Sequence, residues 1–302
     1  MNNSNENKDN NNIRSNFNYD LAFSRNLGLV QPDEQKILKN TRVAIAGLGG
    51  VGGAHANTLA RLGIGKFKIA DFDIFEIQNF NRQMGATISN LHKPKSEVIR
   101  KIITDINPTA EVEEFIEGVQ LSNINNFLND VDIVIDGLDF FAVSTRELLY
   151  KEAFKKNIPV VGTGPIGFSV ILLTFMPGKM TWNDYFCMDL AKSETEKYLL
   201  FALGNAPSGL HVSYIDSKYM NLDLKQGPSA ITAVQMCSGV LGTEVLKIVL
   251  KRGTVLSVPY YHQFDPYKNK YIVKKLRWGN KGIFQRIKFY LLKKFYLSNK
   301  IS

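Results

Sequence analysis

RVAIAGLGGVGG, residues 42 to 53, opens with an apolar run, Val43 to Ala46, and then breaks into glycine. A short apolar run stopped by glycine reads as a buried strand, and the chain from near Ala54 reads as the helix that follows it. Gly47, Gly49 and Gly52 stand at G-x-G-x-x-G spacing, with Gly50 and Gly53 filling in. Side chains there would hold a phosphate away from the backbone N–H groups and keep helix and strand apart. The positive end of the helix dipole faces that phosphate, so the stretch predicts a nucleotide site. The next strand, KFKIAD, ends at Asp71, about 20 residues on, where an acid can reach ribose hydroxyls.

Outward from this stretch, strands and helices alternate. After Pro94, KSEVIRKIITDI puts Val98, Ile99, Ile102, Ile103 and Ile106 on one helical face. EVEEFI and VDIVID read as strands, the second ending at GLD with Asp139 at its end; a helix from Val143 to Lys156 and the strand IPVVG follow. This order predicts an α/β, Rossmann-like, doubly wound and mostly parallel sheet with its ligand at the C-terminal strand ends. Beyond Gly162, GFSVILLTF reads as a strand. Residues 180 to 226 read as an irregular crossover with one helix around Glu194–Leu203, and the region expected to choose the substrate. A long buried helix from PSAITAVQ follows, and YYHQFDPYKNKYIVKKL reads as a hairpin turning near Asp265–Lys270 that extends the sheet.

The 302 residues, 44% hydrophobic, suffice for one large or two modest domains. Residues 1–18 are half asparagine and read as a disordered tail, residues 19–265 as the nucleotide-binding domain, and residues 266–302 as a basic tail. From Tyr267 onward there are eleven Lys or Arg and no Asp or Glu, against 26 basic and 28 acidic residues before it. Such an end suits nucleic acid, an anionic membrane surface or an acidic partner, and equally a solubilising terminus. In QRIKFYLLKKFYL, Ile287, Leu291 and Phe295 share one side, interrupted by Lys288. MNNSNENKDNNN lacks the basic start and apolar core of a signal peptide, so the cytoplasm is the expected compartment. Cys187 and Cys237 are too few for a disulfide framework or a zinc site.

The chemistry concentrates in DFDIFEIQNFNRQ, where Asp71, Asp73, Asn79, Asn81, Arg82 and Gln83 are too crowded for a simple connector; of these, Asp71, Asp73, Asn79, Arg82 and Gln83 are expected to touch the nucleotide. Arg82 and Lys95 together can neutralise a triphosphate. Asp139, beside the switch point of the sheet, can hold Mg²⁺ against phosphate oxygens. Two cations, a metal-binding acid and a glycine loop suit ATP better than a nicotinamide, which carries only a pyrophosphate.

RVAIAGLGGVGG, ADFDIFEIQNFNRQ, HKPKSEVI, INP and DIVIDGLD together resemble the ThiF/MoeB/HesA family of ubiquitin-activating-enzyme-like adenylyltransferases, over about residues 21 to 250. The resemblance implies that ATP condenses with a carboxylate, the C-terminus of a ubiquitin-like protein or peptide or a small acid, to give an acyl-adenylate. By position, Gly49 and Gly50 lie against the nucleotide, Asp71 holds the ribose, Asn79, Arg82 and Lys95 contact the phosphates, and Asp139 binds Mg²⁺. Arg25 resembles the family's early arginine, which reaches the triphosphate from the neighbouring subunit, and so implies a homodimer. The departures matter too. Phe140 stands where an asparagine is typical, the paired C-x-x-C motifs are missing, so no zinc is expected, and DLKQGPS carries no cysteine for a thioester. Three alternatives share these residues: a dehydratase of a threonylcarbamoylated tRNA base, a non-catalytic partner subunit, and an NAD- or FAD-dependent oxidoreductase.

Overall fold

The structure, a computed structural model, describes residues 16–299, with side chains up to Tyr296 except that of Ser217. Residues 1–15 of the asparagine-rich stretch lie outside the described residues. Asn18, its last residue, accepts a hydrogen bond from Leu21 N–H and caps the first helix, α1 (Tyr19–Ala22).

The sequence order is α2 (Pro32–Asn40), β1 (Arg42–Ala46), α3 (Gly50–Arg61), β2 (Lys66–Ala70), α4 (Lys95–Ile106), β3 (Glu111–Phe115), α5 (Ile124–Phe127), β4 (Ile133–Asp136), α6 (Val143–Lys155) and β5 (Val160–Ile166). Then come β6 (Ser169–Phe175), α7 (Trp182–Phe186), α8 (Glu194–Asn205), α9 (Ile231–Val249), β7 (Tyr260–Asp265), β8 (Lys270–Lys275) and α10 (Ile283–Asn299). One eight-stranded sheet runs β3-β2-β1-β4-β5-β6-β7-β8. The pairs from β3 to β5 are parallel, and β6, β7 and β8 continue the sheet antiparallel.

The sheet is covered on both faces because its central strands are apolar on both. Along β1, Ala44 and Ala46 join a core with Leu149, Tyr150 and Leu199, while Val43 and Ile45 join one with Leu59, Ile99 and Leu241. Successive side chains point to opposite faces. Helices α3 and α4, which connect β1 to β2 and β2 to β3, lie on one face; α6, which connects β4 to β5, lies on the other. The winding therefore reverses between β1 and β4, and a crevice opens at their C-terminal ends.

Four expectations are corrected. Helix α3 starts at Gly50 rather than near Ala54; glycine's poor helix propensity hides its first turn. Asp139 lies three residues beyond β4, whose last residue is Asp136. The crossover, residues 180 to 226, holds two helices, α7 and α8, where one was read. The basic end is not a free tail among the described residues: Lys270–Lys275 is the eighth strand, and α10 docks on α8. No helix among the described residues is long and apolar enough to cross a membrane.

Candidate nucleotide site

The glycines of the β1–α3 turn divide into two kinds. Gly47 has φ +83°, a region glycine favours, and a Cβ on it would overlap the carbonyl oxygen of Gly137 in the β4 turn. A Cβ on Gly52 would overlap the carbonyl oxygen of Gly47. These two let the turns after β1 and β4 and the start of α3 pack backbone on backbone. Gly49 faces open space: a Cβ there would find only Gln83 Nε2, at 3.8 Å. On Gly50 it would meet Val234 at 3.5 Å and Arg82 Cγ at 3.7 Å. Above Gly49 lies the first turn of a twelve-residue helix, whose N–H groups lack carbonyl partners one turn back, so this is a seat for an anion.

Asp71 fixes that seat from behind. Its Oδ2 accepts from Leu48 N–H at 2.6 Å and its Oδ1 from Asp73 N–H at 2.8 Å. Burial pushes its carboxyl up, while these N–H groups and Lys95 pull it down. Each oxygen keeps a further lone pair for a hydroxyl. Lys95 is buried at the start of α4; its N–H donates to Asp73 O at 2.9 Å and its Nζ reaches Asp73 Oδ2 at 3.0 Å. Asp73, expected to touch nucleotide, is thus the counter-ion of Lys95. Asn79 is buried, and its Oδ1 accepts from Glu76 N–H at 3.0 Å. Its carbonyl accepts from Arg82 N–H at 3.1 Å and Gln83 N–H at 2.9 Å, so Asn79 shapes the turn that presents both.

Arg82 Nη1 donates to Gln78 O at 2.9 Å and to Asn81 Oδ1 at 3.0 Å. The amide of Gln83, only 8% exposed, sits over Gly49, and its Oε1 has no hydrogen-bond partner. The atom of that amide nearest Gly49 is Nε2, an N–H donor that suits a phosphate oxygen. Asp139 is exposed, and its Oδ1 accepts from Phe141 N–H at 2.9 Å. Leu138 Cα is 2.8 Å from the place a Cβ on Gly47 would take, so Asp139 is one residue from the glycine turn. The structure therefore brings Gly49, Gly50, Asp71, Arg82, Gln83, Lys95 and Asp139 around one crevice. Among the described residues no cluster of three or more His, Cys, Asp or Glu forms a metal site. One carboxylate fits Mg²⁺, which takes its other ligands from phosphates and water.

Arg25 is elsewhere. It is exposed, and the Nδ2 of its neighbour Asn26 donates to Leu62 O at 3.3 Å, past the last turn of α3. The glycine turn lies at the other end of that helix. A surface depression lined by Lys36, Ile37, Asn40, Thr41 and Asp132 is also remote, at the N-terminal strand ends.

The sequence reading missed a buried cluster beneath Asp139. Arg146 Nε and Nη2 donate to Asp136 Oδ2 and Oδ1 at 2.7 and 3.2 Å, and Tyr150 OH donates to Asp136 Oδ2 at 2.9 Å. Arg146 Nη2 also reaches the carbonyls of Leu138 at 2.9 Å and Asp139 at 3.3 Å, and its guanidinium lies 4.5 Å from the Phe201 ring centroid. Phe140 packs on Phe201 at 5.2 Å, so it anchors the Asp139 turn to α8. The available signal was an acid ending a buried strand, which needs a counter-ion, with Arg146 and Tyr150 one helical turn apart.

Fold and crevice place the chain in the doubly wound α/β class. Residues 23–282 match the ThiF family, and the chain belongs to it. It is 35% identical over 142 residues to the tRNA threonylcarbamoyladenosine dehydratase of Bacillus subtilis (strain 168), which covers 47% of this chain and 55% of that protein. To the sulfur carrier protein ThiS adenylyltransferase of the same organism it is 33% identical over 151 residues, 49% of this chain and 44% of that one. The chain spans about half the length of these curated relatives. Among solved structures, E. coli MccB with succinimide superposes with a TM-score of 0.64 at 20% identity, covering 86% of this chain and 72% of that one. MccB has also been solved with ATP and with N-formylated MccA. At this identity the likeness is one of fold.

Proposed function

We propose that the protein is an ATP-dependent adenylyltransferase that activates a carboxylate as its acyl-adenylate. The observation that carries the reading is the open seat at Gly49 with the Gln83 Nε2 donor beside it, ringed by Asp71, Arg82, Lys95 and Asp139. Membership of the ThiF family supports it, as does the ATP complex of MccB.

ATP supplies an electrophilic α-phosphorus and a pyrophosphate leaving group. The N–H groups of α3 hold phosphate oxygens, Asp71 accepts from ribose hydroxyls, and Arg82 and Lys95 stand where negative charge gathers as pyrophosphate departs. Asp139 would hold Mg²⁺, which offsets phosphate charge. The substrate carboxylate is already ionised at neutral pH, so the site needs no general base. Adenylation is not followed by a thioester on this chain. Cys187 is buried, its Sγ donates to Asp184 O at 3.1 Å and burial raises its thiol; burial pushes the Cys237 thiol up to about 12.

The acyl substrate is a peptide or ubiquitin-like C-terminus, in keeping with the MccA complex of MccB. The Bacillus dehydratase, 35% identical over 142 residues, favours a second reading in which the activated group belongs to a tRNA base. ATP–pyrophosphate exchange separates the two. Exchange stimulated by a peptide carboxylate and lost in Asp139→Ala and Arg82→Ala is the expected result; stimulation by threonylcarbamoylated tRNA alone selects the second reading. Absence of ATP binding by the wild type sinks both.

A further inference from the structure

Helix α10 has two apolar faces, and the protein uses one. On the inner face, Phe289, Leu292 and Tyr296 pack against the core, and Gln285 Nε2 donates to Leu203 O at 3.3 Å and Asn280 Oδ1 at 3.1 Å. Lys293 pairs with Glu196 at 2.6 Å, and Lys288 Nζ donates to Pro207 O at 2.7 Å. These contacts fix the rotation of the helix. The opposite side then points outward with Ile283, Phe284, Ile287, Tyr290 and Leu291, which are 52–78% exposed. These positions, spaced three and four apart, form one continuous stripe. Trp278, 66% exposed, stands where the chain enters the helix, with its Cβ 4.0 Å from the place a Cβ on Gly282 would take. Arg277, Arg286 and Lys294 are exposed around the stripe.

We infer that this face docks the protein on an anionic lipid surface, with α10 lying in the plane of the headgroups. An apolar stripe rimmed by Lys and Arg, with a tryptophan at its border, is what such a surface binds: side chains sink to the acyl boundary while cations meet headgroup phosphates. Charge sets the choice of occupant. From Tyr267 onward the chain has eleven basic residues and no acidic one. A second copy meeting this face about a two-fold axis would set the Arg and Lys rim of one copy against the same basic rim of the other. A nucleic acid would find cations but no use for isoleucine, leucine and phenylalanine at the centre.

The test is co-sedimentation of the full chain with vesicles of phosphatidylcholine, alone or with phosphatidylglycerol, following tryptophan fluorescence, in which buried Trp182 gives a constant background to exposed Trp278. The expected result is partition to the phosphatidylglycerol vesicles only, weakened by salt, with a blue shift of the emission. It should fall about tenfold or more in Ile287→Glu/Leu291→Glu and in Arg286→Glu/Lys294→Glu. Every substituted side chain is exposed, so thermal melting should show all variants folded. The inference is overturned by no partition, by partition that survives Ile287→Glu/Leu291→Glu, or by a wild-type oligomer that this variant splits. Binding of tRNA, with no vesicle partition, that the variants lose would assign the face to nucleic acid instead.

Discussion

His55 is fully buried on α3, with Nδ1 3.1 Å from Ser238 Oγ and Nε2 3.0 Å from Thr163 Oγ1. Burial lowers its pKa to about 3, against about 6.5 in an unfolded chain. Above pH 6.5 both states are neutral there and His55 adds no pH dependence. As pH falls below 6.5, the unfolded state binds a proton that the folded state refuses, so stability declines by at most ~1.4 kcal/mol per pH unit. Urea melts of wild type and His55→Gln between pH 6.5 and 5 isolate this contribution, because most carboxylates have yet to titrate. Parallel slopes for the two proteins would refute it. Arg146 makes a larger claim. With Arg146→Met, Asp136 keeps Tyr150 but loses its counter-ion inside the core, and breaking a buried pair costs about 3–5 kcal/mol. Asp136→Asn combined with Arg146→Met should cost less than Arg146→Met alone, a comparison that denaturant unfolding makes directly. The pair was half legible: an acid ending a buried strand calls for a counter-ion, but an arginine ten positions on leaves no periodic trace that names it as the partner. Asp71 and Lys95 were legible because their spacing from the glycine turn is itself the signal.

Among the elements, the β1–α3 turn was readable as strand, glycine break and helix, yet the sequence could not say which glycine does what. The structure separates them by what a methyl group would meet. Gly52→Ala drives Cβ into the Gly47 carbonyl, so it should lower the melting temperature sharply and abolish nucleotide binding with it. Gly49→Ala meets nothing nearer than 3.8 Å; its melting temperature should stay within a few degrees while ATP affinity by calorimetry falls about tenfold or more. Equal destabilisation by both would show that Gly49 serves packing too. Helix α10 shows a related limit of the sequence. Its sequence offers Ile287, Leu291 and Phe295 as the obvious apolar side, but the docked side is Phe289, Leu292 and Tyr296, with polar Gln285 and Lys288 finding carbonyls on the body. Hydrophobic periodicity locates an apolar face; it does not say which of two faces meets the protein. The parallel sheet was legible because buried parallel strands carry their own signature in uninterrupted Val and Ile.

At the scale of the whole molecule the question is what Arg25 serves. The segment carrying it is tied to the C-terminal end of α3 through Asn26 and Leu62, while the nucleotide seat lies at the N-terminal end. Twelve residues of helix span about 18 Å, well beyond the reach of an arginine side chain. Arg25 therefore has no part in its own chain's site, and any action on ATP must be on that of a second copy. Action across an interface predicts complementation. Arg25→Ala and Asp139→Ala should each lose exchange activity alone. In a mixed dimer, the Arg25→Ala subunit keeps its own Asp139 and receives an intact Arg25 from the other. Random mixing at equal amounts makes half the dimers mixed, each with one complete site, so about a quarter of wild-type exchange should return. Unmixed variants measured side by side set the baseline. If Arg25→Ala is fully active alone, the residue is a surface charge; if it is inactive and mixing restores nothing, Arg25 acts on the local fold rather than across an interface.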